Sequence, residues 1–183
     1  NTIAAVRDAI FSHTGPENLA FLQAGGDMKD LPYVVMPAFY DGYANAGGSG
    51  MTLPLIVAIT WKGIREDYRQ IAKLSFAPGL FNINETMIFG LPIVLNPIFF
   101  FPFILIPATI TYIAYFVTMS GLAAPLGYTV PWTTPTILNP FLASGLDFGA
   151  LFLGMFTFVL AIFMWMPFVK LADSQLNKAN EAK

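Results

Sequence analysis

The chain has 183 residues, of which 56% are hydrophobic and 11% are charged, and its formal net charge is −2. In soluble domains about a quarter of the residues are charged. This composition, with a mean hydropathy of +0.63, therefore indicates an integral membrane protein. The acidic balance offers no basic stripe for nucleic acid, and the absence of cysteine excludes a thiolate nucleophile, a disulfide framework and cysteine-based metal sites within this chain.

The first 35 residues are typical of an amphipathic, interfacial segment. Apolar residues recur at a helical period across 1–13, and Thr-Gly-Pro at 14–16 ends one helix and starts another. His13 lies at this boundary, either as a solvated loop residue or as a sugar or proton partner. The chain begins at Asn1 with no signal segment, and we expect it to be the C-terminal part of a longer protein.

A first membrane-spanning helix is predicted over 36–61, although a glycine-rich run at 46–50 interrupts its first half. Small residues let neighbouring helices approach closely, whereas an unwound glycine run turns backbone groups towards a ligand. The sequence leaves both interpretations open. The basic loop 62–73 follows Trp61, and the positive-inside rule places it in the cytoplasm.

Segment 74–96 places one carboxylate, Glu85, in strongly apolar sequence. A charged side chain costs roughly 2.5–3.5 kcal/mol at the centre of a membrane helix and faces a protein interior or a wet cavity. No Lys, Arg or His between 74 and 169 is available to pair with it. Prolines and glycines break the surrounding helix, and broken backbone persists at membrane depth only when it is packed in protein or lines a cavity. We therefore predict a re-entrant hairpin that carries a solute site.

Two apolar stretches, 98–119 and 148–169, have about the 20 residues that a crossing needs. The tail 170–183 carries three lysines and is expected in the cytoplasm, like the loop 62–73. Because the two crossings return the chain to its starting side, the segment 74–96, which lies between that loop and the first crossing, makes no net crossing.

The loop 121–147 is uncharged until Asp147. We expect it to pack on the protein and to present Trp132 with the hydroxyls of Thr133 and Thr134. The alternative is an interfacial tryptophan flanked by turn-forming prolines.

This combination of one carboxylate, amides, hydroxyls and aromatic rings suits a sugar. Hydroxyl groups donate charge-assisted hydrogen bonds to a carboxylate, and aromatic rings stack on the apolar faces of a pyranose. Transport of amino acids or ions would call for opposite charges or clustered acids, and neither a metal nor a cofactor site is predicted. The candidate sugar-binding residues are Asn82, Asn84, Glu85, Trp132, Thr133 and Thr134.

Several motifs resemble one family. Pro-Gly-Leu-Phe-Asn-Ile-Asn-Glu at 78–85, continued by Phe-Gly-Leu-Pro-Ile-Val-Leu-Asn-Pro at 89–97, resembles the signature of the enzyme IIC permeases of the lactose/cellobiose/diacetylchitobiose class, in the bacterial phosphoenolpyruvate-dependent sugar phosphotransferase system. Similar matches are Val-Pro-Trp-Thr-Thr-Pro with Phe-Leu-Ala-Ser-Gly, and Gly-Gly-Ser-Gly-Met-Thr-Leu, at 130–135, 141–145 and 47–53. Thr86 departs from the pattern, since many relatives have proline there.

The resemblance implies an all-α integral membrane protein, a polytopic helical bundle in the bacterial inner membrane whose re-entrant hairpin carries the substrate site. The full-length permease would be a homodimer with about ten helices per subunit, more than this chain can supply at ~20 residues a span. In relatives the motif glutamate, here Glu85 beside Asn84, binds sugar hydroxyls. A family histidine would precede Asn1, and Ser-His-Thr-Gly at 12–15 does not match it.

The implied function is import of a disaccharide by alternating access, coupled to its phosphorylation by phosphorylated enzyme IIB. In such transfers a carboxylate accepts the hydroxyl proton, and Glu85 is the candidate, with sugar binding alone as the simpler role. The expected partners are the disaccharide, enzyme IIB and membrane lipid, without nucleic acid. The competing hypothesis is a non-transporting scaffold or channel subunit in which a protonated Glu85 ties helices together.

Overall fold

The computed structural model describes residues 9 and 11–181, with side chains up to residue 175, and this part of the chain contains helices and turns but no strand. The predicted all-α class is therefore confirmed for these residues, while the amphipathic helix predicted over 1–13 lies mostly outside them. The helices are α1 Thr14–Gln23, α2 Pro37–Tyr43, α3 Thr52–Lys62, α4 Glu66–Gly79, α5 Glu85–Gly90, α6 Pro97–Met119, α7 Leu138–Ala143 and α8 Phe148–Glu181, with 3-10 turns at Met28–Asp30 and Ile93–Leu95.

Helices α6 and α8 are long and apolar enough to cross a membrane, and they contain the stretches predicted to do so. Pro97 stands in the first turn of α6, where its missing N–H costs nothing, and the Asn96 side chain caps this helix by accepting a hydrogen bond from the Ile98 N–H at 3.1 Å. Helix α8 continues without interruption to Glu181, so residues 170–181 extend the helix.

Helix α8 is the central element of the packing, since it contacts α2, α3, α6 and α7. Trp165 on α8 is fully buried. Its indole Nε1–H donates to the Met51 carbonyl at 3.2 Å, and its ring lies 6.4 Å from that of Phe99 on α6. The core therefore sits between α3, α6 and α8.

The segment 36–61, predicted as one spanning helix, contains two shorter helices, α2 and α3, joined by a turn. Gly47, Gly48, Gly50 and Met51 in this turn have φ values of 75°, 91°, 74° and 54°. Such left-handed backbone cannot continue a right-handed helix, which explains why the chain leaves the helical path here.

The segment 74–96 is a helix, a turn and a second short helix. Helix α4 has Pro78 in its last turn, the chain turns at 80–84, and α5 then leads to the 3-10 turn and α6. Helix α4 packs on α3, and α5 packs on α4. The turn at 80–84 is therefore held against the same body as the glycine run.

Candidate functional site

Asn82 is the point at which three distant parts of the chain meet. Its side-chain Oδ1 accepts hydrogen bonds from the Gly47 N–H at 2.9 Å and from the Thr136 hydroxyl at 2.8 Å. Its Nδ2 donates to the carbonyls of Trp132 and Thr134 at 2.7 and 3.0 Å. A side-chain amide has two N–H donors and two acceptor lone pairs. All four are used, and no hydrogen-bonding group of this side chain remains for the sugar contact predicted from the sequence.

We call the segments 47–50, 82–84 and 132–136 together the Asn82 junction. A further bond inside it runs from the Gly47 N–H to the Thr136 hydroxyl oxygen at 3.1 Å. The junction joins the three regions whose motifs were distinctive in the sequence, although they are separated along the chain by 35 to 89 residues. Neither Thr136 nor Gly47 was singled out as a candidate site residue, because a single threonine or glycine gives no signal of its tertiary partner.

Asn84 lies at the edge of the Asn82 junction. Its Nδ2 donates to the Ser49 carbonyl at 3.0 Å, and the side chain is buried. A Cβ atom added to Gly48, whose φ is +91°, would lie 2.6 Å from Asn84 Cγ and 2.8 Å from the Asn82 carbonyl oxygen. Only glycine fits at position 48. The glycine run 46–50 therefore combines an unwound backbone with close packing, and the segment packed against it is the Asn82–Asn84 turn.

Glu85 follows directly as the first residue of α5, and its side chain is exposed. No hydrogen bond or ion pair of its carboxylate is found within the described residues. The hypothesis that Glu85 ties helices together would require a partner on another helix, and the described residues provide none for its carboxylate. Across the same residues, no three His, Cys, Asp or Glu side chains come together as a metal site would require.

The segment 132–134 is held by its backbone carbonyls, and its Trp132 and Thr133 side chains face outward. Trp132 is 59% exposed although its carbonyl is bound by Asn82. Thr133 is exposed and Thr134 is half-buried, while the Thr134 N–H closes a turn on the Pro131 carbonyl at 2.9 Å. Backbone anchoring thus leaves the predicted sugar-binding groups of this segment free.

A buried carboxylate, which the sequence did not single out, fixes the start of α4. Asp173 of α8 accepts hydrogen bonds from the backbone N–H groups of Ile64 and Arg65 at 3.0 and 3.2 Å. These groups precede the first turn of α4, whose donors have no partner within the helix. Asp173 therefore connects α8 to the helix that leads to the Asn82–Asn84 turn.

The Arg65 side chain makes local contacts at the start of α4. Its guanidinium lies 3.7 Å from the centre of the Tyr68 ring and forms an ion pair with Asp67. The hydrogen bond between the two side chains raises the pKa of Arg65 and lowers the pKa of Asp67. Both groups are therefore charged at neutral pH.

The sequence model of the family described as "Phosphotransferase system, EIIC" matches residues 2–107. The chain is 43% identical over 142 residues to a cellobiose-specific EIIC component of Lactococcus lactis, covering 75% of this chain and 29% of that protein. It is 37% identical over 181 residues to an oligo-beta-mannoside-specific EIIC component of Bacillus subtilis, covering 98% and 40%.

A solved structure is similar as well. The crystal structure of the transporter ChbC, the IIC component from the N,N'-diacetylchitobiose-specific phosphotransferase system, superposes with a TM-score of 0.86 at 36% identity. The alignment covers 95% of this chain and 40% of that one. The chain thus spans less than half the length of the relatives that it matches.

Proposed function

Because the chain belongs to the phosphotransferase system EIIC family, we propose that it contributes the sugar site of a permease that imports a disaccharide together with its phosphorylation. The relatives are named for cellobiose, oligo-beta-mannoside and diacetylchitobiose. We take a disaccharide of the cellobiose, diacetylchitobiose or lactose type as the substrate class.

The observation that carries this proposal is the Asn82 junction. In it, the turn that precedes Glu85 holds the segment that carries the exposed Trp132 and Thr133 and the half-buried Thr134. In the proposed site the Glu85 carboxylate accepts hydrogen bonds from sugar hydroxyls. Trp132 stacks on a pyranose face, and the hydroxyls of Thr133 and Thr134 donate to the sugar. The Oδ1 of Asn84 is available to accept, since only its Nδ2 is bound to the protein.

In the proposed membrane arrangement, the segment 74–96 is a re-entrant hairpin. It lies between the cytoplasmic loop 62–73 and the crossing made by α6. The short α5, the broken backbone at 80–84 and the packing of α4 on α3 support this arrangement, since irregular backbone in a membrane must be covered by protein or line a cavity. The permease is placed in the bacterial inner membrane as a homodimer in contact with lipid.

Phosphoryl transfer is assigned to a separate phosphorylated enzyme IIB, which donates to a sugar hydroxyl. Catalysis of such transfers rests on positioning and on stabilising charge. In this proposal the residues around Glu85 hold the sugar so that the hydroxyl faces the cytoplasmic donor, and Glu85 is placed to accept the hydroxyl proton.

The direct test reconstitutes the full-length permease in liposomes with phosphorylated enzyme IIB inside and radiolabelled cellobiose outside. We expect phosphorylated cellobiose to accumulate inside, and unlabelled lactose or diacetylchitobiose to compete. If none of these disaccharides is taken up or phosphorylated, the chain is not a disaccharide permease and the scaffold hypothesis gains support.

Sugar stacking on Trp132 has its own test. We expect cellobiose to quench part of the tryptophan emission of the permease, and Trp132→Phe to remove that quenching. Trp61→Phe is the matched control, since Trp61 is similarly exposed, at 58% against 59%, but lies at the end of α3. Quenching that survives Trp132→Phe would assign Trp132 to the membrane interface.

A further inference from the structure

The backbone at Asn82 is unusual for a residue other than glycine. Its φ is +63°, in the left-handed region, which asparagine tolerates better than most residues. The side chain is only 8% exposed, so its amide must be satisfied by protein. Because all four of its hydrogen bonds are made within the chain, this residue is built to hold other segments together.

The hydrogen bonds that the Asn82 side chain donates go to the segment 132–134, and those that it accepts come from residues outside that segment. Its Nδ2 donors hold the carbonyls of Trp132 and Thr134, and its Oδ1 acceptor holds the Gly47 N–H and the Thr136 hydroxyl. The donor side therefore fixes the segment that carries the exposed Trp132. The acceptor side fixes the glycine run against which Asn84 is packed.

Glu85 lies three residues after Asn82, and Asn84 lies between them with its own bond to Ser49. The position of the carboxylate relative to the Trp132 ring consequently depends on the length and direction of the Asn82 bonds. In enzymes, a misplacement of about 1 Å between groups that must act together can cost about a hundredfold in reaction rate.

We infer that Asn82 is a positioning residue: through its amide donors it sets the segment 132–134 against Glu85, and the affinity for the sugar depends on it although Asn82 does not touch the sugar. This inference rests on the proposed function, since the groups being positioned are the proposed sugar ligands. Thr136 supports Asn82 by donating a hydrogen bond from its hydroxyl to Oδ1.

Asn82→Asp is the informative variant because it keeps the shape and the acceptor oxygen but replaces the Nδ2 donors with a second oxygen. That oxygen faces two carbonyls and repels them. In the sugar-free, full-length permease we expect faster hydrogen–deuterium exchange in 131–136, with the Gly47 amide still protected. Asn82→Ala removes both the Nδ2 donors and the Oδ1 acceptor. We therefore expect hydrogen–deuterium exchange to become faster both in 131–136 and in 46–50.

Thr136 and Asn96 provide the controls. Thr136→Ser keeps the hydroxyl and is expected to exchange like the parent. Thr136→Val removes the hydroxyl but is expected to leave the Gly47 amide protected, because Asn82 Oδ1 still accepts from that amide. Asn96→Asp changes a half-buried asparagine that caps α6 and leaves the Asn82 junction intact. We expect 131–136 to remain protected in it.

Cellobiose affinity is then measured by calorimetry on the same proteins. We expect Asn82→Asp to bind about tenfold more weakly, the effect of losing two hydrogen bonds between neutral groups, while Thr136→Ser and Asn96→Asp bind like the parent. Unchanged exchange in Asn82→Asp, or altered exchange with unchanged affinity, would overturn the inference. A parent permease that does not bind cellobiose at all would overturn the proposed function instead, because the exchange measurements need no sugar.

Discussion

At the scale of single residues, Asn82 and Asn84 show how neighbouring side chains of one type differ in what they can do. Both are 8% exposed. Asn82 uses every hydrogen-bonding group on protein partners, whereas only one N–H of Asn84 is bound within the described residues. The distinction rests on tertiary contacts with residues more than 30 positions away, so the sequence placed both in the site but could not separate their roles.

Glu85→Gln is expected to weaken cellobiose binding about ten- to hundredfold, because a neutral amide accepts sugar hydroxyls less strongly than a carboxylate. Folding should be unaffected, since the exposed carboxylate has no partner in the described part of the chain. Calorimetric titration and thermal unfolding in detergent measure the two effects. Glu66→Gln is the matched control, as Glu66 is also an exposed first residue of a helix. Parent-like affinity in Glu85→Gln would remove this residue from the site.

At the scale of elements, the sequence predicted the two apolar crossings and the broken segment around Glu85, because length, hydropathy and proline content are local properties. It also indicated the family from its motifs, and the comparisons confirm that membership. The division of 36–61 into α2 and α3 was not predicted. A glycine run permits both a close helix contact and a left-handed turn, and the choice depends on the Asn82–Asn84 turn that packs on it.

Gly48→Ala is expected to lower both stability and cellobiose affinity, because the added methyl group would overlap Asn84 and the Asn82 carbonyl as well as strain the backbone. Gly25→Ala separates these effects, since Gly25 has φ +88° but no atom within 4 Å of the added Cβ. Left-handed strain alone costs roughly 1–3 kcal/mol. We expect that loss of stability in Gly25→Ala and a larger one in Gly48→Ala, with a loss of affinity only in Gly48→Ala. Equal affinities would show that the glycine run does not shape the site.

Because Asp173 accepts hydrogen bonds from the amides of Ile64 and Arg65, we expect the start of α4 and the end of α8 to lie on one side of the membrane. Single cysteines at Glu66 and Gln175, in a cysteine-free permease, are expected to be protected from an impermeant maleimide in intact cells and labelled after lysis. A cysteine at the exposed Ser120, beyond the crossing of α6, is expected to be labelled in intact cells. Labelling of Glu66→Cys without Gln175→Cys would contradict the re-entrant arrangement.

At the scale of the whole molecule, α8 organises the packing, and composition alone could not show this. Its residues are apolar on nearly every side, so the sequence gives no hydrophobic face that distinguishes protein from lipid. Helix contacts in a membrane are instead made where small residues allow close approach. In α8, Ala150 and Ala161 are fully buried, whereas Phe152, Phe156 and Phe163 are more than half exposed.

Ala161→Leu is expected to destabilise the permease by about 1–3 kcal/mol, because the added carbons must enter a packed region without space for them. Val159→Leu is the matched control: Val159 is 48% exposed on the same helix, against 0% for Ala161, and a larger apolar side chain there meets lipid or detergent. Thermal unfolding in one detergent, followed by loss of the monodisperse peak in size-exclusion chromatography, measures both variants. A greater loss of stability in Val159→Leu than in Ala161→Leu would mean that α8 faces its neighbours with the opposite side, and that the outward phenylalanines are the packed surface.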